Sequence, residues 1–96
     1  MRNGLFETDT DVDVLLKEDI EVSAPSRLIV YNDDVNTFDW VIECLMDVCE
    51  HSFEQAEQSS LLIHYKGKAT VKTETFKALR PLKDALCERG LSAVIE

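Results

Sequence analysis

Residues 52–75, SFEQAEQSSLLIHYKGKATVKTET, decide the fold. Ser52 followed by Gln55 is a capping box, in which the serine oxygen accepts a forward backbone N–H and the glutamine reaches back to the serine's own N–H. A helix opens there, with Phe53, Ala56, Ser60 and Ile63 as its inward stripe. Gly67 stops it, because helices end readily on a residue with left-handed backbone and glycine adopts that shape without penalty. KATVKTET then alternates small or β-branched residues with charged ones, the pattern of a half-exposed strand.

Upstream, RLIVY at 27–31 is rich in β-branched and aromatic residues and reads as a short buried strand. Asn36 with Asp39 three positions on reads as the N-cap and third helical residue of a first helix. Val41, Leu45 and Val48 recur at helical spacing beside Trp40, Ile42 and Cys44, and this helix ends near Glu50. Downstream, Leu79, Leu82, Leu86 and Cys87 mark a third helix running to Arg89, with Gly90 as its stop. Pro81 allows two versions of it: a helix starting near Arg80 with proline in its first turn, or a longer, kinked one. LSAVI, residues 91–95, supplies a last strand. The order β-α-α-β-α-β predicts a small α+β domain over residues 27–96, a three-stranded antiparallel sheet packed on three helices.

Residues 1–26 differ in kind: seven acids stand against Arg2 and Lys17, and Ser-Ala-Pro-Ser closes the segment. A flexible acidic extension is expected. Its DTDVD, residues 9–13, has the spaced carboxylates that open a calcium loop, but Val14 stands where that loop needs glycine and Ile20 where it needs glutamate.

The 96-residue chain carries a net charge of −9, which repels phosphate backbones and anionic membranes, so neither nucleic acid nor a membrane is an expected partner. No apolar run approaches the roughly 20 residues of a bilayer span. Cys44, Cys49 and Cys87 fit neither a disulfide framework nor a zinc motif, and read as buried free thiols of a cytoplasmic protein. A monomer is expected.

The polar residues left unassigned are Asn32-Asp33-Asp34, at the end of the first strand, and His64, near the end of the second helix. Both have structural readings: Asp33 and Asp34 as turn residues bonding their own backbone, His64 as a partner of terminal carbonyls. His64, Asp33 and Asp34, with His51 as a fourth, lack metal-ligand spacing, and the cysteines fall at apolar helix positions where thiols are inert. No metal, cofactor or catalytic apparatus is expected; the residues amount to a binding module with an acidic notch.

YNDDVNTFDWVIECL, residues 31–45, followed by SFEQAEQSSLLIHYKGKA, residues 52–69, resembles the ClpS family of adaptors that deliver N-degron substrates to a Clp AAA+ unfoldase and its protease. Asn32-Asp33-Asp34 ahead of a capped helix, Glu54-Gln55-Ala56, and His64-Tyr65 with Gly67-Lys68-Ala69 carry the likeness. It is clear over about residues 27–75 and weaker beyond. The resemblance implies a non-enzymatic adaptor whose Asn32, Asp33 and His64 bind the free α-amino group of a polypeptide beginning with Leu, Phe, Tyr or Trp. Three N–H donors of an ammonium against amide, carboxylate and imidazole acceptors make chemical sense. By the same likeness Asp34, Asn36, Phe38, Val41, Ser60, Ile63 and Leu91 line the side-chain pocket. Lys77 falls on the surface that docks a ClpA-like or ClpC-like unfoldase, and the acidic extension is the part the unfoldase engages. Phe38 and Ser60 replace methionines of many relatives, Val35 and Thr37 replace an aromatic and a proline, and the third helix is shorter. The alternative is a non-catalytic protein–protein docking domain of the same fold with no N-degron pocket.

Overall fold

A computed structural model describes residues 22–96. Most of the acidic extension, with the calcium-loop lookalike, lies outside the described residues. Strands β1 (Pro25–Tyr31), β2 (Lys68–Thr75) and β3 (Ser92–Ile95) alternate with helices α1 (Phe38–Cys49), α2 (Phe53–Lys66) and α3 (Phe76–Glu88) in the order β1-α1-α2-β2-α3-β3. The sheet is antiparallel with β1 central, between β2 and β3. The fold expected from the sequence is the one observed. β1 begins two residues ahead of the RLIVY run, because Pro25 and Ser26 already pair with Thr75 and Glu74.

Leu28 and Val30 of β1 pack with Val41 and Leu45 of α1, Ala56 and Ile63 of α2, Val71 of β2 and Leu79 and Leu86 of α3 in one core. β2 carries an extra residue opposite the Leu28/Ile29 step, since Leu28 pairs with Lys72 and Ile29 with Thr70. A bulge leaves a carbonyl outside the regular ladder. His51 takes it: Nε2 lies 2.7 Å from Val71 O, and since a carbonyl can only accept, Nε2 carries the proton. His51 thus serves the sheet, satisfying the bulge carbonyl.

The helix ends confirm some local readings and correct others. Ser52 and Gln55 form the expected capping box, and Gly67 closes α2 at φ 90°. The N-cap of α1 is Thr37 rather than Asn36: Thr37 Oγ1 accepts the Trp40 N–H at 3.1 Å, while the Asn36 side chain is occupied elsewhere. Phe53, expected in the inward stripe, is half exposed at the first position of α2, ahead of the turn where Ala56 meets the core. Of the two versions of the third helix the longer holds: Thr75 caps α3 and Pro81 sits inside it. The missing proline N–H removes the usual donor to the Lys77 carbonyl one turn back. Burial pushes the thiols of Cys44 and Cys49 up in pKa, as expected of inert core cysteines. Cys87 is exposed instead, because α3 buries Leu79 and Leu86 and turns Cys87 to the rim, 3.4 Å from Ala93 O. Among the described residues, no helix is long and apolar enough to cross a membrane.

Candidate functional site

The site forms where the C-terminal ends of β1 and α2 meet, and one glycine brings them together. Gly67 donates its N–H to Ile63 O at 3.0 Å, closing α2, and accepts the Asn32 N–H on its own carbonyl at 2.9 Å. The residue that ends the helix thus also anchors the strand's exit, which holds His64, in the last turn of α2, beside the Asn32 corner.

Past Asn32 the chain turns around Asp33. Its Oδ1 accepts the backbone N–H groups of Val35 at 2.9 Å and Asn36 at 2.7 Å, and its Oδ2 accepts Asn36 Nδ2 at 2.7 Å. The structural reading of Asp33 as a turn residue therefore holds. These bonds favour the charged form, so the Asn36 backbone N–H first, then its side chain, lower the Asp33 pKa below the usual 3.8 against a smaller opposing effect of burial. Asn36 Nδ2 also donates to Gly90 O at 2.8 Å, tying the turn to the segment between α3 and β3. Trp40 Nε1 adds a parallel tie to Arg89 O at 3.1 Å. The acidic corner is held from both sides.

A cavity of about 490 Å³ opens against this corner. Asn32, Asp33, Asp34, Asn36 and His64 are its polar lining; Phe38 and Val41 contribute from α1, Ser60 and Ile63 from α2. Val41, Ile63 and Ser60 are buried, whereas Asn32, Asp34 and His64 are exposed, so the cavity has a polar mouth and a floor that is apolar but for the Ser60 hydroxyl. Among the described residues, the side chains of Asn32, Asp34 and His64 make no hydrogen bond. His64 does not cap the carbonyls of its own helix; its ring meets Tyr65 edge-on, centroids 4.9 Å apart at 81°.

Nine of the expected residues thus meet at one cavity. Leu91 does not: it is buried in the core and absent from the lining. Leu61 and Tyr65 also line the cavity and escaped the sequence reading. Helical spacing held the signal, since Leu61 and Tyr65 repeat one turn apart immediately beside Ser60 and His64. Lys77 lies away from this site, on α3 in a shallow groove with Val22, Phe76, Arg80, Pro81 and Asp84. No group of three or more potential metal ligands occurs among the described residues.

The comparisons with known proteins agree with one another. An adaptor protein ClpS of Oleidesulfovibrio alaskensis is 36% identical over 67 residues, 70% of this chain and 64% of that protein. The chain thus spans a little under two thirds of that relative's length. The ClpS of Nitratidesulfovibrio vulgaris strain DP4 is 30% identical over 77 residues, 80% of this chain and 74% of its own. Among solved structures, Agrobacterium tumefaciens ClpS2 bound to L-phenylalaninamide shares the fold at a TM-score of 0.71 and 20% identity, covering 77% of this chain and 96% of that one. Residues 23–93 match the family described as ATP-dependent Clp protease adaptor protein ClpS, and the chain belongs to that family.

Proposed function

We propose that this chain is an adaptor that binds the free N-terminus of polypeptides beginning with Leu, Phe, Tyr or Trp and hands them to a ClpA-like or ClpC-like AAA+ unfoldase in the cytoplasm. It hydrolyses nothing itself. One observation carries the reading: Asn32 and His64, whose side chains make no hydrogen bond among the described residues, and the carboxylate of Asp33 share a cavity with a largely apolar floor. A cationic amine and an apolar side chain leave the same carbon of an N-terminal residue, and the cavity offers a surface for each. Charge-assisted hydrogen bonds to the ammonium are worth roughly 1.5–3 kcal/mol each, and burying the first side chain adds roughly 1.5–3 kcal/mol. The relative from Agrobacterium tumefaciens holds L-phenylalaninamide, an aromatic residue with a free amine and a capped carboxyl, which is the chemistry of a peptide's first residue. Lys77, exposed on α3, is the proposed unfoldase contact.

The test is a pair of fluorescent peptides beginning with Phe, one with a free amine and one N-acetylated, titrated by anisotropy. Acetylation removes the charge and two donors, so only the free peptide is expected to bind, and Asn32→Ala or His64→Ala is expected to abolish the difference. Equal binding of the two peptides refutes the reading in favour of a docking domain without this pocket.

A further inference from the structure

Ser60 is 2% exposed, lines the cavity, and its hydroxyl oxygen has no hydrogen-bond partner among the described residues. Buried hydroxyls nearly always find a partner, because losing water without replacement is costly. In a helix the usual refuge is the carbonyl one turn back, here Ala56 O, and Ser60 does not use it. No bond therefore holds the side chain in its present rotamer, and one torsion sweeps the hydroxyl among three staggered positions.

The placement along α2 matters as much as the vacancy in its bonding. Ser60 precedes His64 by one turn, about 6 Å along the axis, and side chains tilt toward the helix N-terminus. With exposed His64 at the mouth and buried Ser60 at the floor, the interval between them is comparable with the reach of a phenol side chain from Cα to its oxygen. Val41 and Ile63, the apolar residues beside the floor, supply no competing polar atom from their side chains.

Resting on the adaptor reading above, we infer that Ser60 is a specificity-determining residue that selects tyrosine over phenylalanine as the first residue of the bound polypeptide, by hydrogen bonding the phenol. A phenol oxygen can donate to and accept from a serine hydroxyl. Solvent at the floor is displaced by either ring, but only tyrosine restores the hydrogen bond that the displaced water made. Phenylalanine leaves Ser60 buried without a partner, and a site built around a polar group discriminates against the ligand that lacks it.

The experiment titrates the full chain with three peptides identical beyond a first residue of Tyr, Phe or 4-methylphenylalanine, the last matching tyrosine in volume without its hydroxyl. Tyr is expected to bind about two- to twelvefold more tightly than both others, the range given by one net hydrogen bond. In Ser60→Ala the order reverses, because the phenol then loses water with nothing to replace it. Parity of Tyr and Phe, a tighter Phe, a 4-methylphenylalanine peptide equal to Tyr, or an unchanged order in Ser60→Ala each overturns the inference. N-acetylated controls separate the two levels: free and acetylated peptides binding alike removes the adaptor reading and this inference with it, whereas amine-dependent binding without preference for Tyr removes this inference alone.

Discussion

Replacing Asn36 by alanine isolates the tie that holds the acidic corner in shape. The substitution keeps the backbone N–H that bonds Asp33 Oδ1 at 2.7 Å and removes the two side-chain bonds, to Asp33 Oδ2 at 2.7 Å and Gly90 O at 2.8 Å. A bond to a charged acceptor contributes roughly 1.5–3 kcal/mol and a neutral one roughly 0.5–1.5 kcal/mol. Asn36 is half-buried, so water recovers a good part of both, leaving an expected loss of about 1–2 kcal/mol. With a urea dependence of about 1 kcal/mol per molar for a domain this small, the midpoint falls by about 1–2 M. Trp40, the only tryptophan, sits in α1 and reports unfolding by fluorescence. The pH dependence identifies the bond responsible. The folded pKa of Asp33 is depressed below 3.8, so the stability linked to its charge is fully present above that value and is lost as pH falls through the folded pKa. The difference between wild type and Asn36→Ala is therefore constant from pH 7 to about pH 5 and shrinks below 3.8 toward the contribution of the Gly90 bond alone. Identical urea midpoints at pH 7, or a difference that survives undiminished below pH 3, would show that Asn36 does not support the Asp33 charge.

Three other substitutions bear on the frame around the site. Ser60→Ala is expected to raise stability by about 1 kcal/mol, through loss of a buried hydroxyl with no partner among the described residues and gain of helix propensity, and to raise Tm by about 4–8 °C in a thermal scan; a lower Tm would mean that the hydroxyl has a stabilising partner. Leu79→Ala deletes a side chain with 0% exposure and should cost about 2–5 kcal/mol in urea unfolding, a loss under 1 kcal/mol contradicting its place at the centre of the core. Gly67→Ala meets nothing within 4 Å, so its cost, about 1 kcal/mol, comes from holding φ +90° alone; that strain also loosens the Asn32 tether, and peptide affinity should fall with stability.

What the sequence made legible was chemistry settled within a few residues. Ser52 and Gln55 bond each other's backbone, and Gly67 adopts a conformation that other residues resist, so the neighbouring sequence suffices to read them. Asn36 looked like a cap because it precedes a helical pattern by the right interval. Its actual acceptors are Asp33 and the carbonyl of Gly90, 54 residues away, and no local pattern encodes the second. Phe53 and Cys87 failed for a related reason: periodicity finds the face of a helix, but how far that face extends depends on where the sheet and neighbouring helices stop. Leu91 came from resemblance and proved to be core, while Leu61 and Tyr65 needed only the one-turn repeat beside Ser60 and His64. Ser60 was placed in the pocket by resemblance; that its hydroxyl has no partner among the described residues was invisible in sequence, because a serine on a helix ordinarily bonds its own backbone.

Asp33 serves the fold with most of its hydrogen-bonding capacity, and this constrains how it serves the site. Two backbone donors occupy Oδ1 and the Asn36 amide occupies one position on Oδ2, so a bound ammonium finds its freest acceptors on Asn32 and His64. In the proposed complex Asp33 acts through its charge, directly on a remaining Oδ2 position or across a water, and the C-terminal end of α2 adds a partial negative charge at the same corner. The same three bonds that fill Asp33 also hold its pKa below that of an ordinary carboxylate, which favours its charged form at the mouth. Ser60 is the opposite case. Its hydroxyl has no protein partner among the described residues, so a ligand that displaces solvent from the floor and carries a polar tip can complete its bonding.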